Sequence, residues 1–182
     1  MFTLKRLSIF GVILFVIALF TINITSTGKN SNASILQTGL KAPNFSLPAT
    51  GGKNVSLNDF KGKNLIIVFY PMDNTPGCTA QLCALRDEYS MFKSLNTEVI
   101  GSNPASVSSH EKFAKKQSYP FPLLADEKKE MAKAYNVDGN IGFNRRTVYI
   151  LDGNGIVRFG ERGTPTIGTL QSVIKRINSG NK

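Results

Sequence analysis

The sequence predicts an α/β protein, a layered sheet with helices on both faces, and three observations carry that expectation. Residues 64–70 (Asn-Leu-Ile-Ile-Val-Phe-Tyr) form a continuous apolar run, the mark of a strand buried on both sides. Beyond a Pro/Asn/Gly loop, Cys78, Leu82, Leu85, Tyr89 and Phe92 recur at helical spacing. Near the C-terminus, residues 147–151 and 156–159 flank Asp152-Gly153-Asn154-Gly155, which reads as an antiparallel hairpin.

The remaining elements follow in order. Lys5 and Arg6 precede residues 7–24, eighteen positions without a charge. As a helix that run would reach ~27 Å, close to the ~30 Å hydrocarbon core of a bilayer. It reads as an N-terminal hydrophobic helix, either an uncleaved anchor or a signal peptide cut near Ser31-Asn32-Ala33. A buried core helix is the third reading. Residues 1–33 therefore form an anchor or signal with its tether, and residues 34–182 one domain. Basic charge ahead of the apolar run places the body outside the cytoplasm, membrane-anchored or secreted. Phe45-Ser46-Leu47 and Val55-Ser56-Leu57 flank Gly51-Gly52 and suggest a small hairpin. Residues 98–101 read as a second buried strand, 108–117 as a helix, 121–124 as a short edge segment and 127–135 as a short helix. Residues 167–177 close the chain as an amphipathic helix.

Composition narrows the chemistry. The chain has 182 residues, two cysteines and one histidine, enough for one compact domain. Two thiols and one imidazole cannot form a disulfide framework, a four-thiolate zinc site or a histidine-rich metal centre. The net charge is +10, but the lysines are scattered without interleaved aromatics, which argues against nucleic acid and for a solvated face.

The loop after a buried strand is where layered sheets place their chemistry, which points to Pro71 through Cys83. Thr75 can cap the helix that follows, Pro76 suits its first position, and Cys78 then falls in the first turn. Free N–H groups and the helix dipole there favour an anion, so Cys78 reads as a reactive thiolate. The plain alternative is a small buried hydrophobe. Thr75 could equally be nothing more than a cap, and Pro71 a strand terminator. Cys83 follows five residues later. On an intact helix the two Cα atoms would stand ~8.7 Å apart, whereas a disulfide wants less than about 7 Å. The pair can bond only if the first turns of the helix unwind.

Phe69-Tyr70-Pro71, Asp73-Asn74-Thr75-Pro76-Gly77-Cys78-Thr79-Ala80-Gln81-Leu82-Cys83 and Arg86-Asp87 together closely resemble the peroxiredoxins, in the peroxiredoxin Q or bacterioferritin comigratory protein branch. Ala42-Pro43-Asn44-Phe45, Ser109-His110, Lys112-Phe113, Tyr135-Asn136-Val137 and residues 146–152 support the likeness, which runs from about Gly39 to the C-terminus. The resemblance implies a thioredoxin-like fold with a central mixed β-sheet flanked by helices. It implies reduction of hydrogen peroxide and organic hydroperoxides, with Cys78 peroxidatic and Cys83 resolving. Thr75 and Arg146 would hold the peroxide oxygens and the thiolate, and Pro71 would shield the pocket. Arg145 is the rival for the arginine role; neighbouring strand residues face opposite ways, so only one can point at Cys78. A thioredoxin-like donor would reduce the resulting disulfide within one chain, without metal, flavin or haem, and the protein is expected to be a monomer.

Two features depart from that pattern. Gly101-Ser102-Asn103-Pro104-Ala105 differs from the usual loop after the second strand, and the apolar N-terminus bears on the identity of the electron donor. His110 reads as a helix-start residue that caps or meets solvent. Two other functions compete: a thiol–disulfide oxidoreductase of the same fold, which normally carries two residues between its cysteines, and a membrane-tethered binding module in which both cysteines are dispensable.

Overall fold

The structure, a computed structural model, describes residues 34–139 and 141–180. The hydrophobic helix expected at residues 7–24, and the tether with its boundary at residue 33, lie outside the described residues. In chain order the elements are β1 (Ser46–Ala49), β2 (Lys53–Ser56), β3 (Asn64–Phe69), α1 (Pro76–Asp87), α2 (Tyr89–Ser94), β4 (Thr97–Asn103) and α3 (Val107–Gln117). They continue with β5 (Leu123–Ala125), α4 (Glu130–Ala134), β6 (Thr147–Leu151), β7 (Val157–Arg162) and α5 (Ile167–Asn178).

The strands form one sheet in the order β2-β1-β5-β4-β3-β6-β7. β3 runs parallel to β4 and β4 parallel to β5, while the hairpins β1–β2 and β6–β7 join antiparallel, which makes the sheet mixed. All of β3 is buried, as its unbroken apolar run requires. Its side chains alternate between two cores because successive residues of a strand face opposite ways. Ile66 and Val68 meet Leu82, Leu85, Phe92, Phe113 and Ile174 under the long helices. Leu65, Ile67 and Phe69 meet Met131, Tyr135 and Tyr149 on the other face. Burial of each such side chain stabilises by about 1.5–3 kcal/mol relative to exposure.

Two expectations change. The apolar spacing from Cys78 to Phe92 does not form one helix: the chain breaks at Glu88, and Tyr89 and Phe92 belong to α2. Both still pack into the core cluster that holds Leu82 and Leu85, so the spacing reports a shared apolar face and not an unbroken ladder. The segment expected at the sheet edge is interior. β5 is fully buried between β1 and β4, because the N-terminal hairpin adds outside it, pairing Ala49 with Leu124.

Strand registry gathers the loops. Phe69 at the end of β3 lies opposite Ser102 of β4 and Thr147 at the start of β6, and Asn103 lies opposite Ala125 of β5. The segment that begins at Pro71, the residues after β4 and the residues before β6 therefore emerge at one end of the sheet.

Candidate active site

Three residues turn the chain from β3 into α1. Asn74 adopts a left-handed φ of 59°, a conformation that asparagine tolerates better than most side chains. Thr75 is extended, and Pro76 starts the helix. Cys78 thus sits in the first turn, almost completely buried, with its side chain in the core cluster that contains Leu82.

Its hydrogen-bonding partner arrives from the segment that leads into β6, the strand beside β3. Arg146, half-buried and immediately before β6, donates from Nη2 to Cys78 Sγ at 3.1 Å. The same guanidinium donates from Nη1 to Gln81 Oε1 at 2.5 Å. Gln81 lies three residues after Cys78 on α1 and is buried, so it aims the arginine at the sulfur. Two N–H groups of one planar fork are fixed this way, and a thiolate beside it gains a charge-assisted hydrogen bond. Gln81 escaped the sequence reading; its spacing of one helical turn from Cys78 was the available signal. Arg145, its neighbour, bonds the Val137 carbonyl through its backbone N–H.

Thr75 differs from expectation. Its backbone occupies the capping position, but its hydroxyl donates to the Met72 carbonyl at 3.4 Å and makes no bond to the helix N–H groups. The hydroxyl is held in the loop, not committed to the helix. Pro71 follows β3 directly and is half-buried. Cys83 lies one and a half turns further along the intact α1, half-buried, with a free thiol. Its Sγ donates to Gln117 Oε1 at 3.6 Å and lies 3.9 Å from the Tyr119 hydroxyl. Arg86 holds the same region to the end of α3 by donating to the Gln117 carbonyl at 2.7 Å. Burial, then the neighbouring Cys83, push the Tyr119 hydroxyl well up. The structure thus brings Arg146 to Cys78, sets Thr75 and Pro71 on the adjoining loop, and leaves Cys83 in a separate polar pocket.

His110 also departs from expectation. It is completely buried on α3, not a cap or a surface residue, and hydrogen-bonds Asp73 of the loop that leads to Thr75.

A mixed sheet of this kind, with a buried cysteine in the first turn of the helix after β3 and an arginine before β6 donating to it, is a thioredoxin-like fold with a thiol site. The AhpC/TSA family model matches residues 38–159, and the chain belongs to this family, in its peroxiredoxin Q branch. Peroxiredoxin Q, chloroplastic, of Sedum lineare is 43% identical over 132 residues, 71% of either chain. Peroxiredoxin Q, chloroplastic, of Oryza sativa subsp. japonica is 41% identical over 138 residues, 74% of this chain and 64% of that protein. The chain thus spans less than two thirds of the length of that relative. Among solved structures, peroxiredoxin Q of Xanthomonas campestris superposes with a TM-score of 0.69 at 27% identity, covering 80% of this chain and 99% of the other. The thioredoxin-like fold expected from the sequence holds.

The same relatives correct the localisation. The N-terminal segment led to the expectation of a membrane-anchored or secreted protein with an extracytoplasmic catalytic domain. The relatives are named as chloroplastic, which does not match that expectation. Among the described residues no helix is long and apolar enough to cross a membrane. Length and apolarity of an N-terminal run are shared by several kinds of segment, so they do not by themselves assign a compartment.

Proposed function

We propose that this chain is a thiol-dependent peroxidase that reduces hydrogen peroxide and organic hydroperoxides. The observation that carries the reading is the 3.1 Å approach of Arg146 Nη2 to the buried Cys78 Sγ at the start of α1. Cys78 thiolate attacks one peroxide oxygen, an S–O bond forms and the O–O bond breaks. The leaving oxygen takes a proton and departs as water or alcohol, and Cys78 is left as the sulfenic acid. Negative charge spreads along the sulfur–oxygen–oxygen line as this happens. Arg146 and the Thr75 hydroxyl are the donors proposed to stabilise it, and Pro71 the wall that limits water.

Resolution follows from the second thiol. The first turns of α1 unwind, Cys83 attacks the Cys78 sulfur, the S–O bond breaks and water leaves with the disulfide formed. A thioredoxin-like dithiol then reduces that bond and is itself oxidised. All these steps use one chain, so the monomer is the proposed catalytic unit, with residues 34–182 as the catalytic domain. No step calls for a bound cofactor.

Cys78→Ser decides the reading. A serine hydroxyl ionises far above pH 7, so the variant is expected to lose peroxide consumption, assayed with dithiothreitol as reductant. Turnover within a factor of about ten of the parent would overturn the proposal.

A further inference from the structure

Asp73 is buried and accepts from three elements of the fold. Its Oδ1 takes a hydrogen bond from the Tyr70 hydroxyl at the end of β3 at 2.9 Å and from Asn103 Nδ2 of β4 at 2.8 Å. Its Oδ2 takes one from Ser109 Oγ of α3 at 2.7 Å. His110 Nδ1 lies 3.1 and 3.0 Å from the two oxygens. Burial pushes the Asp73 carboxyl up, but the hydrogen bonds from His110, Ser109 and Tyr70 outweigh it and hold the group below the ordinary carboxylate range. It is therefore a carboxylate and an acceptor only.

The other ring nitrogen ties His110 to β5: Nε2 lies 3.1 Å from the Leu124 carbonyl. Burying polar groups in this way costs desolvation, so the contact is poor evidence for added stability. Its location suggests another use. Asp73 is two residues before Thr75 and five before Cys78, and Asn74 between them holds a left-handed φ.

We propose that Asp73 and His110 are positioning residues for the peroxidatic loop, pinning the segment upstream of Thr75 and Cys78 to β4, α3 and β5. The inference rests on the peroxidase reading.

The test has two arms, both on the full chain. The protein contains a single histidine, so a ¹⁵N-histidine spectrum reports His110 alone. Its Nδ1 resonance is expected to shift in Asp73→Asn and to stay in place in Asp126→Asn. In the second arm, stopped-flow oxidation of Cys78 by hydrogen peroxide should slow at least about tenfold in Asp73→Asn and His110→Asn, as loss of a charged hydrogen-bonding partner predicts. Asp126→Asn, at another buried acid that serves only α4, should stay within about twofold. Should the two clamp variants fail to fold, Ser109→Ala keeps the Asp73–His110 contact and should slow oxidation by about threefold. An Nδ1 resonance that Asp73→Asn leaves in place would overturn the proposal. So would clamp variants that oxidise within about twofold of it, or an Asp126→Asn variant slowed as much as they are. Cys78→Ser judges the peroxidase reading separately, because a reactive Cys78 with an idle clamp sinks only this inference.

Discussion

The two cysteines share one helix but not one environment. Cys78 is buried in an apolar cluster with a guanidinium donating to its sulfur. Cys83 is half-buried in a polar pocket built by Gln117 and Tyr119, where its own thiol is the donor. One sulfur accepts from a guanidinium at a helix N-terminus, whereas the other gives its hydrogen to an amide oxygen. In the proposed cycle, then, one sulfur reacts where it stands, and the other only after the helix between them opens.

Cys83→Ser offers the largest effect that separates the two. Oxidation of Cys78 by one equivalent of peroxide should stay within about threefold of the parent, because the sulfur–arginine contact is untouched. Turnover with a thioredoxin should fall by at least about a hundredfold, with sulfenic acid accumulating and becoming open to over-oxidation. Mass spectrometry after dimedone trapping reads that species, and an unchanged turnover would mean that another route resolves Cys78.

Arg146→Ala is expected next in size. Losing one charge-assisted hydrogen bond of ~1.5–3 kcal/mol should slow oxidation at least about tenfold. Arg145→Ala should stay within about twofold, because Arg146 is the arginine bonded to Cys78 and neighbouring strand residues face opposite ways. Reversal of the two results would mean that the guanidinium near Cys78 is not the one that matters.

The smallest expected effect sharpens the other end of the comparison. Tyr119→Phe removes a hydroxyl 3.9 Å from the Cys83 sulfur, a weak contact that holds the thiol in the closed helix. Disulfide formation, followed by intrinsic fluorescence or quenched-flow alkylation, should accelerate by less than about threefold, with Cys78 oxidation unchanged. A slower resolution would show that Tyr119 assists the attack of Cys83 instead of restraining it.

Much of the frame was legible because it rests on local signals. The apolar run from Asn64, the Gly51-Gly52 hairpin with φ of 84° and 71°, and the Asp152–Gly155 turn report backbone and burial preferences that need no partner. The Thr-Pro-Gly-Cys start of α1 was legible for the same reason, as was the shared helix of the two cysteines. Other parts were not. The edge position expected for β5 failed because a short apolar segment looks the same at an edge as between two strands. The continuous helix through Phe92 failed because apolar spacing survives a one-residue break.

By itself the sequence determined the α/β class, the placement of a cysteine in a helix's first turn and, through its peroxiredoxin-like motif, the choice of Arg146 over its neighbour. These depend on chain-local geometry or on residues a few positions apart. Tertiary structure alone decided that Gln81 steers Arg146, that the Thr75 hydroxyl turns back to Met72, and that His110 lies buried against Asp73. Each of those joins residues through the registry of separate strands and helices. Registry is set by the burial of both sheet faces at once, which no single stretch of sequence contains.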